Sequence, residues 1–467
     1  MKHSRTVGMA VVIALALFIA LFKPLTDLAP QGHYILGVIL VTLGLWIFRA
    51  PSLPYLAGGA LLLGGGLAFQ LPLSTVASGY LSSAVWVLIP ALFFGFALVK
   101  TGLGRRIAYF VLKTFEPSYL TIVLSWFIIG LILSALTPSI TVRLSIVMPI
   151  AISLVEACKI ADRSRGSALV CLAAWGTAVL PGTGWLTGSL WGIFMMGFYP
   201  AEMKPLVTFG SWFEYMAVPW FIVTILFLVL VYIILKPKEP LAISRDTFKE
   251  QYAALGKITS QELITATILI AALILFTTEK LHHIPTAGTA LLAFLCLMVF
   301  RVVTLPEISS GVNWDIINFF GVVVSLTAIF VKAGISDWAR PFIEPTILSL
   351  AVTPVTFLLV ITVGFWLIRF IDVPWGFSTV ALTAPLFIPL YQQFGLHPAL
   401  VSVAVIAAGN CFFLAYQQPF IMIGDAMSKS RGWSPAQVSL GGMVYAVSVI
   451  VAIVISSFYW RAMGLMP

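Results

Sequence analysis

Two long apolar stretches of this 467-residue chain are each interrupted near the middle by residues that hydrocarbon does not accommodate. The first interruption is Thr137-Pro138-Ser139-Ile140-Thr141-Val142-Arg143, the second Trp366-Leu367-Ile368-Arg369-Phe370-Ile371-Asp372-Val373-Pro374. A break in a lipid-embedded helix frees backbone N–H and C=O groups, which are tolerated at membrane depth only where protein or a watery cavity surrounds them. Two such breaks at matching places in the two halves imply an internal repeat with a solute site near the bilayer midplane, the layout of secondary transporters.

Composition removes most other classes. The chain is 60% hydrophobic and 9% charged, too little polar surface for a soluble globule of this length. The net charge of +9 resides mostly in short loops, where Lys and Arg orient helices in the membrane, so no nucleic-acid partner is read from it. Cys158, Cys171, Cys296 and Cys411 lack metal-ligand spacing, and no other His, Cys or carboxylate cluster suggests a metal or hydrolytic site, so the chain is not read as an enzyme. Met1-Lys2-His3-Ser4-Arg5 and the apolar run to Leu21 have the charge pattern of a signal peptide. The following Phe22-Lys23-Pro24-Leu25 offers no small-residue cleavage site, and the segment is read as a retained first span.

Loop charges give an orientation. Lys2 and Arg5 place the N-terminus inside, and spans near Val7 to Leu21, His33 to Phe48, Tyr55 to Leu71 and Ala84 to Val99 return the chain to Arg105, Arg106 and Lys113. The next apolar stretch, Tyr119 to Glu156, is about twice one span and is followed by Lys159, Arg163 and Arg165. Basic flanks at both ends make it enter and leave on one face. Two full spans satisfy that as well as a re-entrant hairpin does. The hairpin is favoured because each arm has only about 17 to 20 residues including the tip, and because Pro, Ser and Thr at the tip need polar surroundings. Beyond it, a span broken at Gly176 to Gly184 runs out to Glu202 and Lys204, and Met216 to Leu235 returns to Lys236-Pro237-Lys238.

Residues 236–260, with Arg245, Lys249 and Lys257, read as a cytoplasmic linker. It joins a first half, residues 1–235 with an inner hairpin near 118–157, to a second half, residues 261–467 with an outer hairpin near 347–395. In the second half, Leu263 to Phe276, Gly288 to Phe300 and Ile316 to Val331 alternate across the membrane; a broken span from Val401 reaches Lys429 and Arg431, and the last span ends outside at Arg461. The expected fold is an all-α polytopic membrane protein of about eleven transmembrane helices plus two re-entrant hairpins in an inverted repeat. It is expected in the plasma membrane, the inner membrane in a bacterium, with the N-terminus inside and the C-terminus outside.

Internal similarity is weak but ordered. Val99-Lys100-Thr101-Gly102 recurs as Val331-Lys332-Ala333-Gly334 before each hairpin, Pro149 and Pro389 follow the tip serines Ser139 and Ser378 at nearly equal distances, and Ala168-Leu169-Val170 and Ala399-Leu400-Val401 each open a broken span. Leu103 to Phe115 sets Arg105, Arg106 and Lys113 among apolar residues, as a helix on the inner surface or a cytoplasmic extension of the preceding span does.

Charges at mid-bilayer need partners or water. Arg369 and Asp372 are three residues apart and pair on one helix turn. Arg143 has no carboxylate nearby in sequence. Beside the Ser139 and Thr141 hydroxyls and the N-terminus of the second hairpin helix it forms an anion site; the alternative is that it snorkels or makes a clamp to Asp372 of the other half. Ser378, Thr379, Gln417 and Gln418 are further candidate substrate ligands, with Asn410 and Tyr416 near the last helix break, although intramembrane amides also join helices. Ser139, Thr141, Gly176, Thr177, Gly182 and Thr183 are candidate cation ligands, although Ser and Thr in spans often bond their own helix. Trp185 reads as packing, the Gly64-Gly65-Gly66 run as close helix contact, and His282 and His283 as interfacial loop residues.

The residues resemble the divalent anion:sodium symporter family, carriers of dicarboxylates and citrate within the ion transporter superfamily. Members carry Ser-Asn-Thr at each of two hairpin tips and a Gly-Thr-Pro-rich break in the helix after each hairpin. Thr137-Pro138-Ser139-Ile140-Thr141-Val142-Arg143 is similar to the exchanger branch's Thr-Pro-Ser-Asn-Thr-Ala-Arg, with Ile140 in place of Asn. Gly176-Thr177-Ala178-Val179-Leu180-Pro181-Gly182-Thr183-Gly184 resembles the first break. At the second tip, Gly376-Phe377-Ser378-Thr379 stands for the motif, and Tyr416-Gln417-Gln418-Pro419 for Thr-Pro-Pro-Asn.

The resemblance implies a secondary active carrier of di- or tricarboxylates working by alternating access as an exchanger or cation-coupled symporter. The same resemblance implies no cofactor, with sodium the candidate coupling ion, and a homodimer whose partners are a small anionic solute and the bilayer. In the family the tip Asn contributes to cation and substrate binding, so Ile140 implies weakened or absent sodium coupling. The rival reading is a sodium/proton antiporter of the same superfamily, for which only Asp372 and the more peripheral Asp425 are available as proton carriers.

Overall fold

The computed structural model describes residues 2–48, 53–199, 207–370 and 376–467, which form helices and turns without strands. Three spans open the first half, α1 (Lys2–Phe22), α2 (Pro30–Phe48) and α3 (Tyr55–Ala68), followed by α4 (Ser83–Thr101) and α5 (Leu103–Leu112). The first hairpin is α6 (Tyr119–Leu136) and α7 (Ile140–Ala157); the broken span is α8 (Arg165–Val179) and α9 (Leu190–Phe198), and α10 (Phe209–Leu235) closes the half. The second half runs α11 (Ser260–Thr277), α12 (Thr286–Val299), α13 (Trp314–Lys332), α14 (Ile335–Leu350), hairpin α15 (Pro354–Ile368) and α16 (Phe377–Phe387), broken span α17 (Pro398–Gly409) and α18 (Pro419–Met427), and α19 (Pro435–Ala462).

Each of α2 to α10 thus has its counterpart, in order, in α11 to α19; α1 lies outside the repeat and packs on α2. Packing obeys the same pairing: α3 lies on α13 as α12 lies on α4, and α10 and α19 pack on each other. These helices are largely apolar all round, as lipid contact on one side and protein on the other requires.

Local chemistry explains the shared turns. Gly102 and Gly334, the last residues of the recurring Lys-x-Gly stretch, sit at φ +83° and +73°, left-handed backbone that glycine adopts without Cβ strain. Each ends its span and redirects the chain, so α5 is a separate helix and not an extension of α4. Ser118, Thr353 and Ser434 form capping boxes at the starts of α6, α15 and α19. The second hairpin arm begins at Pro354, because α14 continues to Leu350 and the Thr353 cap starts a new helix.

Tip depth separates a hairpin from two full spans. A Cβ placed on Gly95, well inside α4, would lie 2.7 Å from Thr137 Oγ1 and 3.4 Å from Ser139 Cβ, so the α6–α7 tip stops partway along a spanning helix. The second tip likewise meets the interior of the other half, with the Phe377 ring 4.2 Å from Trp191 and 4.5 Å from Phe194 of α9. Single cysteines at Lys113 and Lys159, which flank the first hairpin, are expected to react with an impermeant maleimide from the same face only. Reaction from opposite faces would remove the hairpin and the inverted repeat with it.

The halves are also tied at one surface. Arg431 donates to both Asp162 oxygens at 3.0 Å and to Glu156, while the Arg163 amide and Nε donate to the Arg431 and Ser430 carbonyls at 2.9 and 2.7 Å. Exposed ion pairs contribute at most about 1 kcal/mol each, so this lattice mainly fixes the loops' relative positions.

Candidate functional site

Each hairpin straddles the broken helix that follows it, α6 and α7 on α8, α15 and α16 on α17; each second arm also touches the other half's broken span, α7 on α18 and α16 on α9. The described parts of both hairpins therefore pack against both broken spans in the interior of the protein. Helix α8 ends at Val179, where Pro181 opens a short 3₁₀ turn to Gly184, and α9 restarts only at Leu190, capped by the Ser189 hydroxyl. Pro181 has no N–H to continue the ladder, which frees the carbonyls on its N-terminal side.

Arg143 takes up one of those carbonyls together with two from other segments. Its fully buried guanidinium donates from Nε to the Ala178 carbonyl and from Nη1 to the Thr137 and Gly188 carbonyls, all at 2.6 Å. One cation thus joins the end of α6, the end of α8 and the loop before α9. Nη2 has no hydrogen-bond partner among the described residues and lies against Gly182, where a Cβ would come within 2.6 Å of it and 2.2 Å of the Gly188 oxygen. Among the described residues the hydrogen bonds of Arg143 are all within the first half; Asp372, the clamp partner expected from sequence and the expected partner of Arg369, lies outside the described residues.

The second half uses a comparable device. Arg369, also buried, donates from Nη2 to the Gln417 carbonyl, and Gln417 Nε2 donates back to the Arg369 carbonyl at 3.3 Å. The Gln417 Oε1 accepts from the amides of Phe413 and Leu414 at 2.7 and 2.8 Å. Gln418 Nε2 donates to the Asn410 carbonyl at 3.1 Å, its Oε1 accepts from Phe420 N, and Asn410 Oδ1 accepts from Trp191 Nε1 at 3.1 Å. Gln417, Gln418 and Asn410 are therefore engaged in holding the second break open and joining it to α9.

Other expected ligands differ in what they have free. Ser139 caps α7 through Val142 N and is half-buried; Thr141, in the first turn of α7, is exposed. Thr379 is half-buried in α16, while the side chain of Ser378 is not among those described. The Thr177 hydroxyl bonds its own helix at the Ala173 and Ala174 carbonyls, and Gly176 packs under the Phe227 ring. The Thr183 hydroxyl is buried with no partner among the described residues, while its carbonyl accepts from Trp212 Nε1. Tyr416 OH reaches the Phe370 carbonyl at 3.4 Å.

Trp185 packs in tilted and edge-on contacts among Phe209, Phe213 and Phe221; Gly65 and Gly66 meet Val38 and Val76, while a Cβ on Gly64 would meet nothing within 4 Å among the described residues, so the close contact expected of the run holds for two of its three glycines. His282 bonds the Leu275 carbonyl and Ile284 N, and Asp425 accepts from Ser430 Oγ in a surface turn. Gly188 and Trp191, which complete the site's scaffolding, had no signal beyond the turn-rich sequence Thr187-Gly188-Ser189. Among the described residues, no group of three His, Cys, Asp or Glu is placed to hold a metal ion.

Comparison with known proteins agrees with this architecture. The chain is 23% identical over 418 residues to an L-tartrate/succinate antiporter of Escherichia coli, covering 84% of this chain and 82% of that one. It is 22% identical over 429 residues to the chloroplastic dicarboxylate transporter 1 of Spinacia oleracea, covering 88% and 74%. Its fold is similar to that of the YdaH transporter of Alcanivorax borkumensis, with a TM-score of 0.58 at 13% identity over 100% of this chain and 99% of that one. The sodium:sulfate symporter transmembrane region matches residues 3–466, and the chain belongs to that family, the divalent anion:sodium symporters.

Proposed function

We propose that this protein is a secondary active carrier of dicarboxylates that works by alternating access and runs chiefly by exchange. The observation that carries the reading is the convergence of two hairpin tips on two helix breaks inside the protein, each fixed by a buried arginine. The substrate carboxylates are received at the first tip by the Ser139 and Thr141 hydroxyls and the N-terminal amides of α7, where the helix dipole is positive. Thr379 and Ser378 provide the second tip. Arg143 supplies fixed charge behind the first tip, with Nη2 the donor left for an anion. Two relatives that carry dicarboxylates, one an antiporter by its name, support the substrate class.

The coupling follows from oxygen supply. Sodium is held by oxygen ligands, and at the first break the Thr137, Ala178 and Gly188 carbonyls already face a guanidinium while the Thr177 hydroxyl faces its own helix. Ile140, buried at 2% exposure, offers no oxygen where the family has Asn. The protein's own cation therefore stands among the ligands that a coupling ion needs. In proteoliposomes loaded with unlabelled succinate, uptake of labelled succinate is expected to persist when choline replaces sodium on both sides. Uptake that collapses without sodium would overturn the exchange reading but keep the carrier. No counterflow in either salt would overturn the dicarboxylate reading itself.

A further inference from the structure

The repeat places two related clefts at opposite surfaces, and they differ in how their cations are satisfied. One cleft, of about 300 Å³, lies between the end of α4, α5 and α7 and is lined by Lys100, Arg105, Arg106, Ser145, Thr259 and Glu262. Lys100 donates to Glu307 at 2.7 Å and to the Val302 carbonyl, and Arg106 makes two bonds to Glu262 at 2.7 and 3.0 Å plus bonds to three backbone carbonyls. Its two principal cations are therefore neutralised locally.

The counterpart, of about 530 Å³, lies between α13, α14 and α16 on the face that the loop charges read as external. Lys332, the repeat mate of Lys100, has no ion pair among the described residues, and Arg340 meets only Asp337, at 3.7 Å. The Arg340 Nε and the Ser78 hydroxyl, both on residues that line this cavity, are buried without hydrogen-bond partners among the described residues. Most of the remaining wall is apolar, from Phe198, Val324, Ala328, Ala384, Pro385 and Ile388, with the hydroxyl residues Ser82, Thr327 and Ser336 among them. The volume falls within the range of small-molecule sites, and among the described residues two cations against one carboxylate leave the rim positive.

We propose that this cavity binds amphipathic organic monoanions, a carboxylate at Lys332 and Arg340 with a ring-sized apolar body against α13 and α16. Buried unpaired donors are costly and are relieved by an acceptor, and a guanidinium recognises a carboxylate through paired N–H bonds. Succinate-like dianions are disfavoured because the wall away from Lys332 and Arg340 offers hydroxyls but no further cation for a second carboxylate. Because the walls come from both the α13–α14 pair and the hairpin arm α16, an occupant joins elements that alternating access has to separate.

The probe is 2-naphthoate, and the readout is protection of a cysteine at Thr75, on the cavity wall, from an impermeant maleimide. Cys296 is replaced by alanine, which leaves only the buried Cys158, Cys171 and Cys411 as native thiols. Labelling from the external side is expected to slow at least five-fold with 2-naphthoate and to be unchanged by neutral 2-naphthamide or by succinate. Lys332→Gln and Arg340→Gln should each abolish the protection. Absent protection, equal protection by the amide, or protection that persists in both glutamine variants would overturn the site. This readout needs no transport, so it fails or succeeds independently of the carrier reading. If protection occurs while succinate counterflow is not slowed by 2-naphthoate, the link to the transport cycle is overturned.

Discussion

Replacing Arg143 by alanine is expected to abolish transport and sharply reduce the yield of folded protein. The guanidinium is the donor for the Thr137, Ala178 and Gly188 carbonyls, three buried acceptors on three separate segments. Leaving a buried acceptor unpaired costs about 1–3 kcal/mol, and total stabilities are commonly only about 5–15 kcal/mol. Lysine keeps the charge and part of the donor capacity but not the planar fork that serves several carbonyls at once. Arg143→Lys is therefore expected to fold and to transport at a small fraction of the normal rate. Size-exclusion profiles and counterflow of the two variants, measured together, check this. Normal transport by Arg143→Lys would show that neither the clamp nor the fork matters.

A comparably large effect is expected at Gly442 of α19. A Cβ there would lie 1.9 Å from the Phe412 carbonyl oxygen and 2.8 Å from its carbon, backbone atoms of the second break that have no rotamer to change. Gly441, its neighbour, would meet nothing nearer than Leu172 at 3.7 Å, an ordinary contact. Alanine in a helix is otherwise favoured over glycine by about 1 kcal/mol. Gly441→Ala should thus retain or slightly improve thermal stability, while Gly442→Ala should displace the break and lose both transport and stability. Equal melting temperatures for the two variants would mean that the break and α19 are not packed in this way.

Much of the architecture was legible because hydrocarbon is an unforgiving solvent. Apolar run length gave the spans, and Pro, Ser and Thr inside the runs the tip at Ser139 and the break at Pro181. The Lys-x-Gly recurrence was readable as a repeat, and its physical content is the left-handed cap at Gly102 and Gly334. The individual side-chain roles were less legible. Gln417, Gln418 and Thr177 are polar residues at the right places, yet an amide or hydroxyl near a break serves a solute or the break's own backbone equally well on paper.

The sequence by itself therefore determined a membrane protein of repeated, interrupted helices, because burial of backbone polar groups is decided locally, segment by segment. Only the tertiary structure decided which groups remain free. It directed the Arg143 guanidinium to three carbonyls up to 45 positions away, turned the Gln417 amide onto Phe413, Leu414 and Arg369, and left Thr141 and the α13–α16 cavity open. The physical reason is that a buried donor is claimed by whichever acceptor the packing of distant segments brings within about 3 Å, and sequence spacing does not encode that distance.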